Sequence, residues 1–506
     1  MKKIIVLILS LAMVFSLAGI VMAEPAGDEV KTLRVVLEDE PDNINPATGQ
    51  FVSSAVFSPI TTAIFLPLIL ENPEGGEYLP CLLTEWEWVD STHLKVAIRD
   101  DIVDAGGNKL TTSDVLYSFK CGFAGSNSAA FVMFDFDNFE LIDDTHMVMA
   151  LNQPYPSLMD AFLSPFYTVY TEASIAPLEE GNYDISNACI GRYVFSEWVP
   201  GQYIKVVKND SYIGDDPGYY DEIIYTFNTD AAARVYALQS GDADVVSKIP
   251  LSEVDSLESM GYTTNVRATA DGLNLYLNCS RAPFDNELVR QAIQKLINRE
   301  AIIAVNYAGH GTPMAAPFSP ATPYYMPYDE PIDVEGAKAL LEEAGYPNGF
   351  SFTLTGLQNT SLAAEVLQAN LAEVGIQMEI SNMEFGGYIQ ARIAGDYDAL
   401  IGLAGGSDFA NVFKQYDGRN TVQEAFGGVQ YYDDETAYGL IDAVYNELEL
   451  VPRQAAMKEA CEYFVSKGIM TSICSVDQCD PCTSAVTGML FETSVFVNVS
   501  KMHPAE

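Results

Sequence analysis

The chain has 506 residues, with 26 Lys and Arg against 70 Asp and Glu and a formal net charge of −44 at pH 7. That length allows two or more domains with real cores, and 48 % hydrophobic residues excludes a disordered chain. So acidic a surface repels nucleic acid and anionic membrane. It attracts a cationic partner only weakly, because screening acts within about 10 Å at 0.1 M salt; solubility or a saline habitat is the simpler account of the charge.

Lys2 and Lys3 precede an almost wholly apolar run from Ile4 to Val21, and Val21-Met22-Ala23 fits a cleavage site. A signal peptide over residues 1–23, removed after Ala23, is expected; an uncleaved anchor is the alternative, since the run is long enough to span a bilayer. Leu17-Ala18-Gly19 is followed by Ile20 and not by Cys, so no thiol is there for a lipid. The expectation is an exported, freely soluble periplasmic or extracellular protein.

Lys31 to Glu38 reads as a first strand, followed by an Asn- and Pro-rich turn from Pro41 to Pro46. Trp86 to Phe119 reads as a hairpin around Asp90-Ser91, a turn at Gly106-Gly107 and a helix capped by Thr112 or Ser113. Two strands meet at Pro200-Gly201. Ile223 to Phe227, a helix from Ala231 to Gln239 and a buried strand from Ala243 to Val246 then make a βαβ unit. From Gly272, Leu273, Leu275 and Leu277 alternate with Asn274, Tyr276 and Asn278, as in a half-buried strand. Asp285 sits where a helix cap belongs, and Leu288, Val289, Ala292, Ile293, Leu296 and Ile297 form one apolar stripe. Further helices are expected over Ala337–Ala344 and Leu362–Glu373, and strands over Phe350–Thr355, Gln377–Ile380 and Asp396–Leu403.

No HExxH, GxSxG, Walker A or GxGxxG pattern is present, and Gly405-Gly406-Ser407-Asp408 lacks the second glycine of a nucleophile elbow. Asp135-Phe136-Asp137 lacks the turn Gly and terminal Glu of a calcium loop. No catalytic residue, cofactor or metal site is expected. Cys479-Asp480-Pro481-Cys482 is a CxxC without further ligands nearby, so a structural disulfide or unpaired thiols are expected ahead of redox or metal chemistry.

Pro283-Phe284-Asp285, Val289-Arg290-Gln291-Ala292-Ile293 and Asn298-Arg299-Glu300-Ala301-Ile302 closely resemble the wording of one family, the extracellular solute-binding proteins (family 5) of peptide and nickel ABC importers. Other blocks agree in order: Thr111, Asp114-Val115 and Tyr117-Ser118-Phe119; Ser240-Gly241-Asp242-Ala243-Asp244; Leu340 to Phe350; and Gly395-Asp396-Tyr397-Asp398. The resemblance implies an α/β, two-lobe periplasmic-binding-protein clamshell (type II-like) with an extra subdomain in the first lobe. Lobe I would be residues 24–265 plus 475–506, with 70–185 as the insert; lobe II would be 272–470. The hinge would lie near 266–272 and 473–476.

It also implies capture of an oligopeptide or dipeptide by lobe closure. A monomer would deliver it to a membrane permease and ATPase complex. A nickel chelate, sugar or signal molecule is the alternative ligand, and a secreted redox or structural protein using the CxxC the remaining one. The ligand wall implied by resemblance comprises Gln50, Phe51 and Ser53 in the first lobe and Phe385, Tyr388, Leu403 and Asp408 in the second. The family pattern has Gly-Trp and then an Asp that pairs the ligand amine; here Gly402 is followed by Leu403, and that Asp position falls at Gly406. Asp408 is the available carboxylate, with a solvated loop or helix cap as its other reading.

Overall fold

The structure is a computed structural model that describes residues 30–48, 55–72, 77–125, 128–178, 184–405, 409–419, 432–492 and 496–505. The expected leader, residues 1–23, lies outside them. Among the described residues, no helix is long and apolar enough to cross a membrane.

The apolar runs of the first half build one five-stranded sheet. β1 (Thr32–Leu37) is followed by the buried helix α1 (Ser58–Ile64) and then by a smaller sheet. That sheet is made of β2 (Leu83–Asp90), β3 (His93–Ile98), β4 (Glu140–Leu141) and β5 (His146–Ala150), in strand order β2-β3-β5-β4, with α2 (Thr112–Ala124) between β3 and β4 in the chain. The chain returns through β6 (Tyr193–Val199), β7 (Tyr203–Lys208), β8 (Glu222–Phe227), α3 (Ala231–Ser240) and β9 (Val245–Val246). The first sheet has order β9-β1-β8-β7-β6, with β1 parallel to both neighbours. The βαβ unit therefore straddles β1. Its helix stops where Gly241 takes φ 80°, a left-handed conformation that costs glycine little.

The second sheet starts with the long strand β10 (Val266–Leu277), followed by α4 (Glu287–Lys295), α5 (Arg299–Asn306) and α6 (Val334–Glu343). Next come β11 (Ser351–Leu357), α7 (Ser361–Ala372), β12 (Gln377–Met383), α8 (Phe385–Ala394) and β13 (Ala399–Gly405). α9 (Phe409–Lys414), α10 (Glu435–Asn446), α11 (Leu450–Ser466) and β14 (Thr471–Cys479) complete it, in strand order β12-β11-β13-β10-β14. Beyond β14, Cys482, Val486, Val497, Val499 and Met502 rejoin the core under the first sheet.

Three local expectations are corrected. The cap of α4 is Asn286, whose side chain accepts from Leu288 N–H at 2.9 Å, and not Asp285. The stripe outruns its helix: α4 ends at Lys295 with Leu296 as its C-cap, and Ile297 lies in the link before Asn298, which opens α5 by accepting from Ala301 N–H at 3.0 Å. The start of α2 is a capping box one residue earlier than Thr112: Thr111 N–H donates to Asp114 at 2.8 Å.

A larger correction concerns β10. Leu273, Leu275 and Leu277 face one core, as alternation requires, but Asn274, Tyr276 and Asn278 are buried as well. The strand is central and covered on both faces. Its buried amides are satisfied: Ser472 Oγ donates to Asn274 Oδ1 at 2.6 Å, and Asn278 Nδ2 donates to Tyr397 O at 3.0 Å. The arginines in the signature wording are structural too. Arg290 donates to the carbonyls of Lys467 and Phe284 at 3.0 and 2.9 Å, and Arg299 to that of Ser472 at 3.0 Å. Both bind helices to the chain end that returns as β14.

The cores of the two halves meet at a buried ion pair. Asp160, in the turn Leu158–Ala161, accepts from Arg453 of α11 at 2.8 Å, and the two side chains are 4 % and 0 % exposed. Tyr78 OH donates to the same carboxylate at 2.5 Å and Tyr324 OH at 3.2 Å, while Arg453 also donates to Leu448 O at 2.8 Å. The guanidinium stands over the Phe409 ring, 5.0 Å from its centroid. Removing one partner of such a pair leaves a buried charge uncompensated. Asp160→Ala is expected to lower the urea-unfolding free energy by about 3–5 kcal/mol, whereas Asp160→Leu combined with Arg453→Met recovers part of that loss.

Candidate functional site

Near the end of β13, the start of α8 lies against the strand at Gly402. β12 ends at Met383, Glu384 precedes α8, and Phe385 begins that helix with 68 % of its surface exposed. An aromatic so exposed packs in no core; its face is presented for contact. Three residues on, Tyr388 is buried at 4 %, with its hydroxyl where a side chain on Gly402 would begin. Gly402 is thus required by a close approach: any Cβ would displace the tyrosine. Tyr388 thus packs against β13 at Gly402. Leu403, one residue further along β13, is 41 % exposed and pairs in register with Leu273.

Gln50, Phe51, Ser53 and Asp408 lie outside the described residues, so of the sequence-derived set the structure describes Phe385, Tyr388 and Leu403 alone, with Tyr388 and Leu403 meeting at Gly402. It adds residues that sequence reasoning passed over. Arg392, one turn beyond Tyr388, is 7 % exposed; it donates to Gln415 at 2.8 Å and lies 5.4 Å from the Tyr276 ring centroid. Its Nε and the Tyr276 hydroxyl have no hydrogen-bond partner among the described residues. Burial, chiefly, pushes the Tyr276 hydroxyl above its ordinary range, with Arg392 opposing and Tyr388 and Asp271 reinforcing the shift. Asp271 itself lies opposite Gly405 across the β10–β13 ladder. No motif pointed to these residues, because they come together only through strand register.

The expectation for the CxxC resolves to unpaired thiols: no disulfide joins Cys479 and Cys482. Cys479 is buried and donates to Thr264 O at 2.8 Å, and burial pushes its thiol up to about 12. A thiol so protonated is a poor nucleophile. Among the described residues, no cluster of His, Cys, Asp or Glu could hold a metal ion.

The profile of the bacterial extracellular solute-binding proteins, family 5, middle region, matches residues 77–422. The chain belongs to that family. Among curated relatives, the glutathione-binding protein GsiB of Escherichia coli K12 is 32 % identical over 255 residues, 49 % of each chain. Its counterpart in Pectobacterium atrosepticum is 31 % identical over 258 residues, again 49 % of each. The chain spans about half the length of the curated relatives it matches.

Solved structures extend the likeness to the whole fold. HbpA2 from Haemophilus parasuis superposes with a TM-score of 0.83 at 20 % identity, covering 94 % of this chain and 100 % of the other. The nickel ABC transporter protein of Bacillus halodurans gives 0.78 at 20 % identity, covering 92 % and 98 %. The fold is the α/β two-lobe clamshell of the periplasmic binding proteins.

Phe385 and Tyr388 separate surface from core in a measurable way. Phe385→Ala is expected to change stability by less than about 0.5 kcal/mol, as exposed positions do. Tyr388→Ala, which removes a buried ring, should cost about 3 kcal/mol in chemical unfolding. Thiol titration is the companion measurement: all eight cysteines should react in denaturant, with Cys479 and Cys482 protected in the native protein.

Proposed function

We propose that this chain is the extracytoplasmic receptor of an ABC importer and captures a short peptide or a peptide-like solute of the glutathione class. The observation that carries this reading is the match to glutathione-binding proteins over about half the chain, at 32 % identity for the Escherichia coli protein. The wall at the end of β13 supports it. An exposed aromatic face, an exposed Leu and placed polar groups are what recognition of a small, partly apolar solute requires.

In this reading the chain does no chemistry and works as an exported, soluble monomer whose leader is removed. Its cargo passes to a permease driven by separate ATPases. Lobe I comprises residues 24–265 with the return from 475, and holds the insert 70–185; lobe II comprises 272–470. Residues 266–272 and 473–476 are the hinge, where β10 and β14 run side by side. The residues assigned to solute contact in this reading, by resemblance, are Gln50, Phe51, Ser53, Phe385, Tyr388, Leu403 and Asp408.

A non-peptide solute is the second reading, favoured by one observation: Leu403 follows Gly402 where peptide-binding relatives resembling this chain carry an aromatic. Mass spectrometry of solute released from protein purified in native form separates the two. Peptides or glutathione are expected; a metal chelate or sugar in their place would rule out the first reading. Isothermal titration of Phe385→Ala with the recovered solute should show affinity lowered by about 10-fold, the loss of one aromatic contact.

A further inference from the structure

A cavity of about 310 Å³ lies in the second half of the chain, between the start of α5 and the segment that precedes α6. That volume is at the small end of the roughly 300–1,000 Å³ usual for ligand pockets. Its charged lining residues are Arg299, Glu300, Asp329 and Glu330, and Tyr328 lines it beside them. Arg299 is tied to β14 through the Ser472 carbonyl, whereas Phe385 and Leu403 belong to α8 and β13. β10 runs between β14 and β13. The cavity is therefore separate from the candidate site.

Arg299 is 5 % exposed, and its partners use only two of the three guanidinium nitrogens. Nε donates to Ser472 O at 3.0 Å and to Met314 O at 3.3 Å, and Nη2 donates to Ser472 O at 2.8 Å. Nη1 is buried without a hydrogen-bond partner among the described residues. The Tyr328 ring covers the guanidinium, 3.5 Å from Cζ to centroid. Its hydroxyl favours the charged guanidinium but gives Nη1 no acceptor in hydrogen-bonding geometry. Burial, the largest influence, pushes the guanidinium down to about 10. A buried cation held only by neutral groups is costly, and an anion brought to its free nitrogen offsets that cost.

The rest of the lining has the opposite sign. Glu300, Asp329 and Glu330 are exposed, and none has a hydrogen bond or ion pair among the described residues. With Arg299 they leave the lining two negative charges in excess. No group of acids among the described residues is placed to hold a metal ion, so the cation that suits these three is an extended one. The way to Nη1 runs past Tyr328, which is half-buried. Its segment is anchored at both ends, where Pro327 pairs with Met314 and Asp333 N–H donates to Lys295 O at 2.9 Å. From Tyr328 to Ile332 the chain is neither helix nor strand, so the ring can turn off Arg299 without breaking a ladder.

We propose that this cavity is a second solute site, outside the cleft, and that it takes a free basic α-amino acid. The carboxylate of the solute pairs with Arg299 at the buried side, and its ammonium groups are held by Glu300, Asp329 and Glu330 at the rim. One anionic and two cationic groups complement a lining with one cation and three carboxylates. An acidic amino acid is turned away by the same rim. The proposal stands apart from the identity of the solute in the cleft.

Isothermal titration of the full-length protein with L-lysine, L-lysinamide and L-glutamate tests this, using wild type and the double variant Glu300→Gln with Glu330→Gln. Both substituted positions are exposed, so the variant keeps its fold, and the amide probe examines Arg299 without altering a residue that also ties α5 to β14. Wild type should bind lysine, bind lysinamide at least about 10-fold more weakly for want of one charge-assisted hydrogen bond, and not bind glutamate. The double variant should weaken lysine by about 10-fold. Attraction to an acidic surface alone predicts the reverse order, with the more cationic lysinamide bound more tightly than lysine. The proposal is overturned if lysinamide binds as tightly as lysine, if glutamate binds as well as lysine, if the double variant binds lysine like wild type, or if wild type binds no lysine.

Discussion

Two neighbouring strands carry the chain between its halves, and the rest of the molecule is arranged around them. β10 enters the second sheet from the first-sheet side, and β14 leaves it in the opposite sense. They pair from Val266 with Cys479 at one end to Leu275 with Thr471 at the other. At the first-sheet end, Asp480 accepts from Arg267 of β10, from Lys248 N–H at 2.9 Å and from Gln478 Nε2 at 2.9 Å, with 1 % of its side chain exposed. A single buried carboxylate therefore joins the end of β14, the start of β10 and the segment after β9. At the other end, Arg290 and Arg299 close on carbonyls at or just before β14. Both ends are fixed, and the interruption of pairing lies between them.

Periodicity made the elements legible wherever one face decides burial. The βαβ unit, the hairpin at Asp90-Ser91 and the helices of the second half lie where their patterns place them, with ends displaced by a few residues. It misled at β10, because Asn and Tyr in alternation with Leu look like a solvated face. Asn274 and Asn278 can be buried only because Ser472 and the Tyr397 carbonyl meet them, and those partners lie 198 and 119 residues away. Sequence order carries no record of such pairings. The same holds for Asp160 and Arg453, 293 residues apart, whose charges alone would have suggested surface positions.

The candidate site divides on similar grounds. Phe385 was legible because an aromatic after a strand end is conspicuous, and its exposure distinguishes it from a core ring. Tyr388, four positions into the same helix, is buried, a difference from Phe385 set by the close approach of Gly402. Asp271 was passed over. It precedes an informative stretch without belonging to any spacing, and its character comes from what surrounds it: an interrupted ladder on one side and the end of β13 on the other.

The eight unbridged cysteines have a consequence for how the chain reaches its native state. Stability rests on packing, buried amides and the ion pairs at Asp160 and Asp480, with no covalent cross-link to form along the way. No electron acceptor is consumed in folding and no pairing of thiols has to be sorted from the alternatives that eight would permit. The fold therefore needs no oxidising medium to mature, and an oxidant met before folding is complete is a hazard to it rather than a help.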